Sequence, residues 1–354
     1  MNSSVVRTPL GPPEEKGVVH RALIVIGIAV AIVVLLVLLW YIADVLLLSF
    51  AGILLAILLR TPAGWLSRNT PLSPGWSLAF VILVIMSLLG IGGWLFGRSA
   101  ADQMTQLFSQ ALPQSIDALK ERLQQYEWGN LLIQQLQPTN LVSGKVLGKG
   151  IDAISATFGI IANIVVVLFI ALFLAIQPAL YIRGLVRLVP IHRRQRVREV
   201  LSAMGHTLPW WLIGQVFLML VIGVLIGLGL WLLKVPLALA LAILAGLLTF
   251  IPYLGPILSA VPAVLFALTI SSTLAFYVVL LYVGVQTVES YLLEPIVQRK
   301  TVYLPPALTI FSQVVLGVLV GGLGVALAPP LVAAALMAIN MLYIQDVLGD
   351  KKTT

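Results

Sequence analysis

The chain contains no cysteine, only three histidines, and just 13 acidic and 21 basic residues among 354. Without cysteine there can be no disulfides and no thiolate metal sites. The histidines, His20, His192 and His206, lack metal-ligand spacing, so neither a metal nor another cofactor is expected. The shortage of charge excludes more. A soluble domain keeps about 25% of its residues charged, because its surface faces water. Here the share is 10%, against 60% hydrophobic and a mean hydropathy of +1.08. Burying so many apolar segments in one water-soluble core runs against surface-to-volume scaling. An all-α polytopic membrane protein is the class that remains.

What is present is a series of long apolar runs, at 22–40, 45–59, 76–96, 151–176, 210–233 and 274–291. Helices are forced on such runs, since backbone groups in hydrocarbon have no water to bond. Trp40, Tyr41, Trp65, Trp76, Trp210, Trp211 and Trp231 mark their ends, as interfacial aromatic belts do. No small-residue cleavage site follows the first run, which reads as a spanning helix rather than a removed signal. Arg60 and Arg68, the six arginines at 183–198, Arg299 with Lys300, and Lys351 with Lys352 fall on one side if helices alternate. The positive-inside rule then places both termini in the cytosol of an inner (plasma) membrane. The net charge of +8 therefore marks topology, and no nucleic-acid partner is expected.

The domain plan is a disordered cytosolic tail at 1–21, spanning helices one to three within 22–97, and an extracytoplasmic helical segment at 98–150. A fourth spanning helix at 151–182 precedes a basic amphipathic cytosolic segment at 183–208. A transmembrane core with broken segments at 209–345 and a cytosolic tail at 346–354 complete it. In the outer segment Ile116, Leu119, Leu123 and Tyr126 recur at helical spacing, and Pro113 predicts a split into a helical pair. In the basic segment Val197, Leu201, Met204 and Leu208 form an apolar stripe, the pattern of a helix lying in the lipid interface. A plain cytosolic loop is the alternative.

Two later segments depart from ordinary spanning helices. Arms at 237–251 and 257–270 are joined by Pro252-Tyr253-Leu254-Gly255-Pro256. Each arm is ~22 Å long at 1.5 Å per residue, short of a ~30 Å hydrocarbon core. Two prolines and a glycine break the helix and free backbone carbonyls, which lipid tolerates only inside protein or beside a polar cavity. A second arm starts near Pro305 and Pro306, meets interruptions at Gly321 to Gly324 and Ala328 to Pro330, and resumes to about residue 343. Paired interrupted segments point to a transporter's binding site. They read as re-entrant hairpins entering from opposite sides, with tips near Gly255 and Gly324, or as short tilted helices with tight turns.

Glu289 lies in an apolar helix one turn beyond Gln286 and on the same face, with Glu294 beside Pro295. A carboxylate at membrane depth is a functional candidate by default. The alternatives are a neutral acid that locks helices together, or a pair with Arg299 or Lys300. Gln215, Gln313, Asn163 and Asn340 are read as polar glue between helices. Gly144-Lys145 and Gly148-Lys149 lack the other residues of a phosphate loop, so no ATP site is supported.

Three stretches carry a resemblance: 250–256 (Phe-Ile-Pro-Tyr-Leu-Gly-Pro) with Pro262 after it, Gln286 and Glu289 leading to Leu293-Glu294-Pro295, and Pro306 followed by Gly321, Gly324, Ala328 and Pro330. With these the chain resembles the AI-2E (autoinducer-2 exporter-like) family of permeases, over about residues 22–344. The resemblance implies a multi-pass exporter or permease of about eight transmembrane helices, expected to be a homo-oligomer. It also implies export of a quorum-sensing signal or sodium or lithium/proton antiport. The positions it carries over are Pro252, Gly255, Pro256, Glu289, Pro295, Gly321, Gly324 and Pro330. Gln298 departs from the glycine the family often has before its basic pair. The expected function is an ion-gradient-driven secondary transporter, not an enzyme, acting on a small polar solute or an ion such as H+ or Na+. Glu289, Gln286 and Glu294 are its pathway or coupling residues, and the Pro and Gly breaks are hinges and backbone ligands. A non-transporting membrane scaffold is the other class.

Overall fold

The computed structural model describes residues 15–125, 150–298 and 304–350. Most of the expected N-terminal tail, the second part of the outer segment, the Arg299-Lys300 loop and the last four residues lie outside the described residues. Every element described is helical. Two compact units divide the chain, at 1–46 and 47–354. The first holds α1 (Glu15–Tyr41) and the opening residues of α2 (Ala43–Asn69).

In the second unit α3 (Pro74–Gln106), a π-turn (Leu107–Ala111) and α4 (Leu112–Gln124) form one 51-residue helix, Pro74–Gln124. The expected split at Pro113 does not occur. A proline strikes the carbonyl four residues earlier, here that of Ser109, which lies in the wider π-turn, so the helix absorbs the clash without breaking. The π-turn also seats Leu107, fully buried, in a cluster with Ile226, Leu241 and Val278.

Helix α5 (Gly150–Ile176) meets α6 (Pro178–Arg187) at a bend of 89°. After a 3₁₀ turn (Ile191–Arg193), α7 (Arg194–Leu232) runs 39 residues and passes through Pro209 unbroken. The stripe at Val197, Leu201, Met204 and Leu208, expected on an interfacial helix of its own, therefore belongs to the opening turns of α7. Arg196 there ties down the other end of the unit, bonding Glu199 and Asp346 at 2.9 Å and the Met341 carbonyl at 3.0 Å.

The remaining elements are α8 (Ala238–Leu248), α9 (Leu254–Ile270), α10 (Ser272–Val288), a π-turn (Glu289–Leu293), α11 (Glu294–Gln298), α12 (Pro306–Val320), α13 (Gly322–Ile339) and a final π-turn (Asn340–Gln345). Among the described residues five helices are long and apolar enough to cross a membrane, or six if the bent α5–α6 pair is one span. The count of about eight needs the shorter apolar helices α8, α9, α12 and Leu23–Leu35 to contribute. The chain is an all-α, multi-pass membrane protein.

Helices α8 and α9 form one hairpin, α12 and α13 another. In both, a glycine at the start of the second arm packs against the end of the first. A Cβ on Gly255 would strike the Leu248 carbonyl, and one on Gly324 the Leu316 carbonyl. The second tip turns at Gly321, whose φ of +71° and ψ of −150° suit only glycine. The interruption expected at Ala328 to Pro330 does not occur: Pro329 and Pro330 are both buried inside α13, where packing against neighbouring helices lets a membrane helix keep a proline. Phe250 from the first tip and Val320 from the second pack on the same cluster of Leu47, Leu54, Trp211, Leu212 and Leu327.

Candidate functional site

The site grows out of the first hairpin's tip. Helix α8 ends in tightened turns, with the Phe250 N–H donating to Leu247 and that of Ile251 to Leu248. Pro252 has no N–H to continue. The Leu254 N–H donates to the Pro252 carbonyl at 2.8 Å across Tyr253, whose φ and ψ are 66° and −48°. This is the rare, strained form of the γ-turn. Such outliers persist where the surroundings over-determine them, and they cluster at ligand sites.

Two buried amides hold the carbonyls freed by the break. The Gln215 side chain on α7 donates to the Thr249 carbonyl at 2.5 Å, and that of Gln313 on α12 to the Pro252 carbonyl at 3.1 Å. The polar glue expected of these glutamines thus joins α7 and the second hairpin to the tip of the first. Trp211 adds an edge-on contact to Phe250, with ring centroids 6.0 Å apart.

Facing the tip is the end of α10. In an α-helix, residues five apart point about 140° away from each other. Glu289 and Glu294 are five apart, but the π-turn between them closes i to i+5 and brings them towards one face. Pro295 would strike the carbonyl of Tyr291, which lies inside the turn, and the wider turn relieves that clash. The same geometry precedes Pro113.

A cavity of about 80 Å3 lies between these parts, room for several waters or a small polar solute. Gln286, Glu289, Ser290 and Glu294 line one wall, and Pro252, Tyr253 and Pro256 another. Gln215, Thr249 and Thr309 add polar lining, and none of the described lining residues is Lys, Arg or His. One carboxylate oxygen of Glu289, Oε2, is buried with no hydrogen-bond partner among the described residues. The Gln286 amide donates to the Ser290 hydroxyl at 3.3 Å. Among the described residues no three His, Asp or Glu side chains gather closely enough to hold a metal ion.

Of the residues singled out in the sequence, Gln286, Glu289, Glu294, Pro252 and Pro256 meet at this cavity. Gly255 sits behind it against Leu248, and Pro295 adjoins it shortly after the π-turn. Gly321, Gly324 and Pro330 do not line it; they shape the second hairpin, which reaches the site through Thr309 and Gln313. Tyr253 is legible only as part of the 252–256 break, and Thr249, Ser290 and Thr309 carry no sequence signal that separates them from other polar residues in apolar segments.

Residues 28–344 match the model of a protein family described as AI-2E family transporter. YueF of Bacillus subtilis (strain 168), named as a candidate transport protein, is 27% identical over 73% of each chain. YrrI of the same organism is 31% identical, but over only 44% of each chain. YhhT of Escherichia coli (strain K12) is 25% identical over 82% of each. Both carry the same kind of name.

Proposed function

The chain belongs to the AI-2E family of transporters, and from that premise we propose a secondary transporter whose pathway runs through the cavity between the 252–256 tip and Glu289. One observation carries the proposal: Glu289 lines a cavity walled by a broken helix inside an apolar protein, and its Oε2 is buried beside that cavity with no hydrogen-bond partner among the described residues. An ionised carboxylate in such a place is costly without a counter-charge. A proton on Oε2, or a ligand that donates to it, removes that cost. Glu289 is therefore the group whose loading changes with transport, and Glu294 shares its cavity.

The favoured reading is ion-gradient-driven export of a small polar solute, of which a quorum-sensing signal is one example. A second reading, exchange of sodium or lithium for protons, is supported by two carboxylates lining the cavity with no cationic side chain among the described lining residues. The orientation proposed has both termini in the cytosol of an inner membrane, and the working form is a homo-oligomer.

Purified protein in liposomes carrying a pH gradient tests this. Flux of a polar solute or of sodium should depend on the gradient and fall at least tenfold in Glu289→Gln, with the variant folded. Gradient-dependent flux that survives Glu289→Gln removes Glu289 from the pathway. No flux over a broad panel of solutes and cations favours the scaffold instead.

A further inference from the structure

We propose that α6 and the turn after it form a binding platform for anionic phospholipid headgroups at the cytosolic membrane surface. The inference is independent of the cavity and of what passes through it.

Helix α6 leaves α5 at 89°. If α5 crosses the bilayer, α6 lies in the membrane plane, and its 10 residues reach only ~15 Å, too short to cross. At 100° per residue, Tyr181, Leu185 and Ile182 fall within one arc of about 100°, while Arg183 and Arg187 stand on the opposite side together with the exposed Leu180. Among the described residues the apolar arc has no protein partner to match it. Leu185 is 51% exposed, and beyond the helix Leu188 and Ile191 are 83% and 80% exposed. On the other flank Val186 is buried and α6 packs on α7. The arrangement is that of a helix sunk to the headgroup boundary, apolar face toward the acyl chains and cations at headgroup level.

The charge names the lipid. Residues 178–198 hold six arginines and no acidic residue. Arg196 is taken by Glu199 and Asp346. Arg194 is a structural clip, bonding the Val189 carbonyl at 3.1 Å and the Arg187 carbonyl at 3.2 Å, so α6 is fastened to the start of α7. Arg183, Arg187, Arg193 and Arg198 remain exposed and none of the ion pairs among the described residues involves them, although the Arg183 Nε donates to the Ala179 carbonyl of its own helix at 3.0 Å. Exposed guanidiniums on the face opposite an apolar arc, with further exposed arginines close by in sequence, fit phosphate esters with acyl chains below them. A soluble acidic peptide would leave the arc in water.

The chain has no cysteine, so single-cysteine labelling is clean. Full-length protein is placed in nanodiscs of phosphatidylcholine with and without one-third phosphatidylglycerol. A spin label on Leu185→Cys should be reached by oxygen and shielded from a water-soluble nickel reagent, while a label on Lys120→Cys should not be shielded. Spin-labelled lipids should show phosphatidylglycerol preferred over phosphatidylcholine by about fivefold for each guanidinium engaged at low salt. The preference should fall with sodium chloride and vanish in Arg183→Gln/Arg187→Gln/Arg193→Gln, but persist in Lys120→Gln. Inorganic phosphate should compete no better than chloride at equal ionic strength; stronger competition would mean a site for soluble anions and overturn the proposal. A preference untouched by the triple substitution, or a nickel-accessible label at Leu185, would overturn it equally.

Discussion

Replacing Gln215 and Gln313 separately by leucine should give unequal losses of stability, although both amides donate to carbonyls of the same broken tip. Gln215 is 5% exposed and its bond goes to the Thr249 carbonyl, itself on a residue 2% exposed. Removing a donor from a buried acceptor costs about 1–3 kcal/mol, and interhelical bonds in membrane proteins run lower, at about 0.6 and up to about 1.7. A loss of about 1–2 kcal/mol is expected for Gln215→Leu. Gln313 bonds a carbonyl that also receives the Leu254 N–H, and its own Oε1 is buried with no partner. Leucine there removes one bond and one unsatisfied oxygen together, so the net change should lie within about 0.5 kcal/mol. Reversible unfolding in mixed micelles, followed by tryptophan fluorescence, measures both. The gap corresponds to several-fold in the unfolding equilibrium. Equal losses, or a larger one for Gln313→Leu, would refute the reasoning and show that the γ-turn bond does not satisfy Pro252.

Gly255→Ala and Gly324→Ala should each lower stability by at least about 1–3 kcal/mol, because the added methyl meets backbone rather than a movable side chain. Gly284→Ala, with open space around its Cβ, should not; equal thermal shifts for all three would argue against the close approach at the hairpin tips. Pro295→Ala removes the clash that sets the π-turn, so a relaxed α-helix should turn residue 294 off the cavity face. The thiol reactivity of Glu294→Cys should then change markedly on adding Pro295→Ala, and unchanged reactivity would show that the turn has another cause.

The membrane class was legible from composition, since a 10% charged chain has no means of covering itself with polar surface. The break at Pro252, Gly255 and Pro256 was legible because two missing donors fall beside a residue that allows close approach. Pro113, Pro329 and Pro330 read as breaks for the same reason and are not. Nothing beside Pro113 lets the chain reverse, and a wider turn relieves it; Pro329 and Pro330 are packed on all sides. The interfacial stripe at 197–208 misled differently. Its apolar spacing is genuine, but a helix that continues into a span shows the same spacing as one that stops at the surface. The helix that does turn aside, α6, is only 10 residues long and is marked chiefly by Gln177-Pro178 at its start.

Both carboxylates are singled out in the sequence, but helical periodicity does not show that they share a face. Counting at 100° per residue puts Glu289 and Gln286 together and sends Glu294 to another face. One added residue in a single turn cancels that offset, and only Pro295 hints at it. Proline therefore acts in two ways along this chain. Where it is joined by glycine, as at 252–256, the helix reverses and frees carbonyls that other helices must hold. At 113 and 295 it follows a widened turn that re-aims the side chains beyond, whereas Pro62, Pro209, Pro262, Pro329 and Pro330 sit inside helices that run on without such a turn. The cavity lies where the two effects meet, a reversed tip on one wall and a re-aimed carboxylate on the other. That is why neither the spacing of the acidic residues nor the placement of the prolines, taken alone, could locate it.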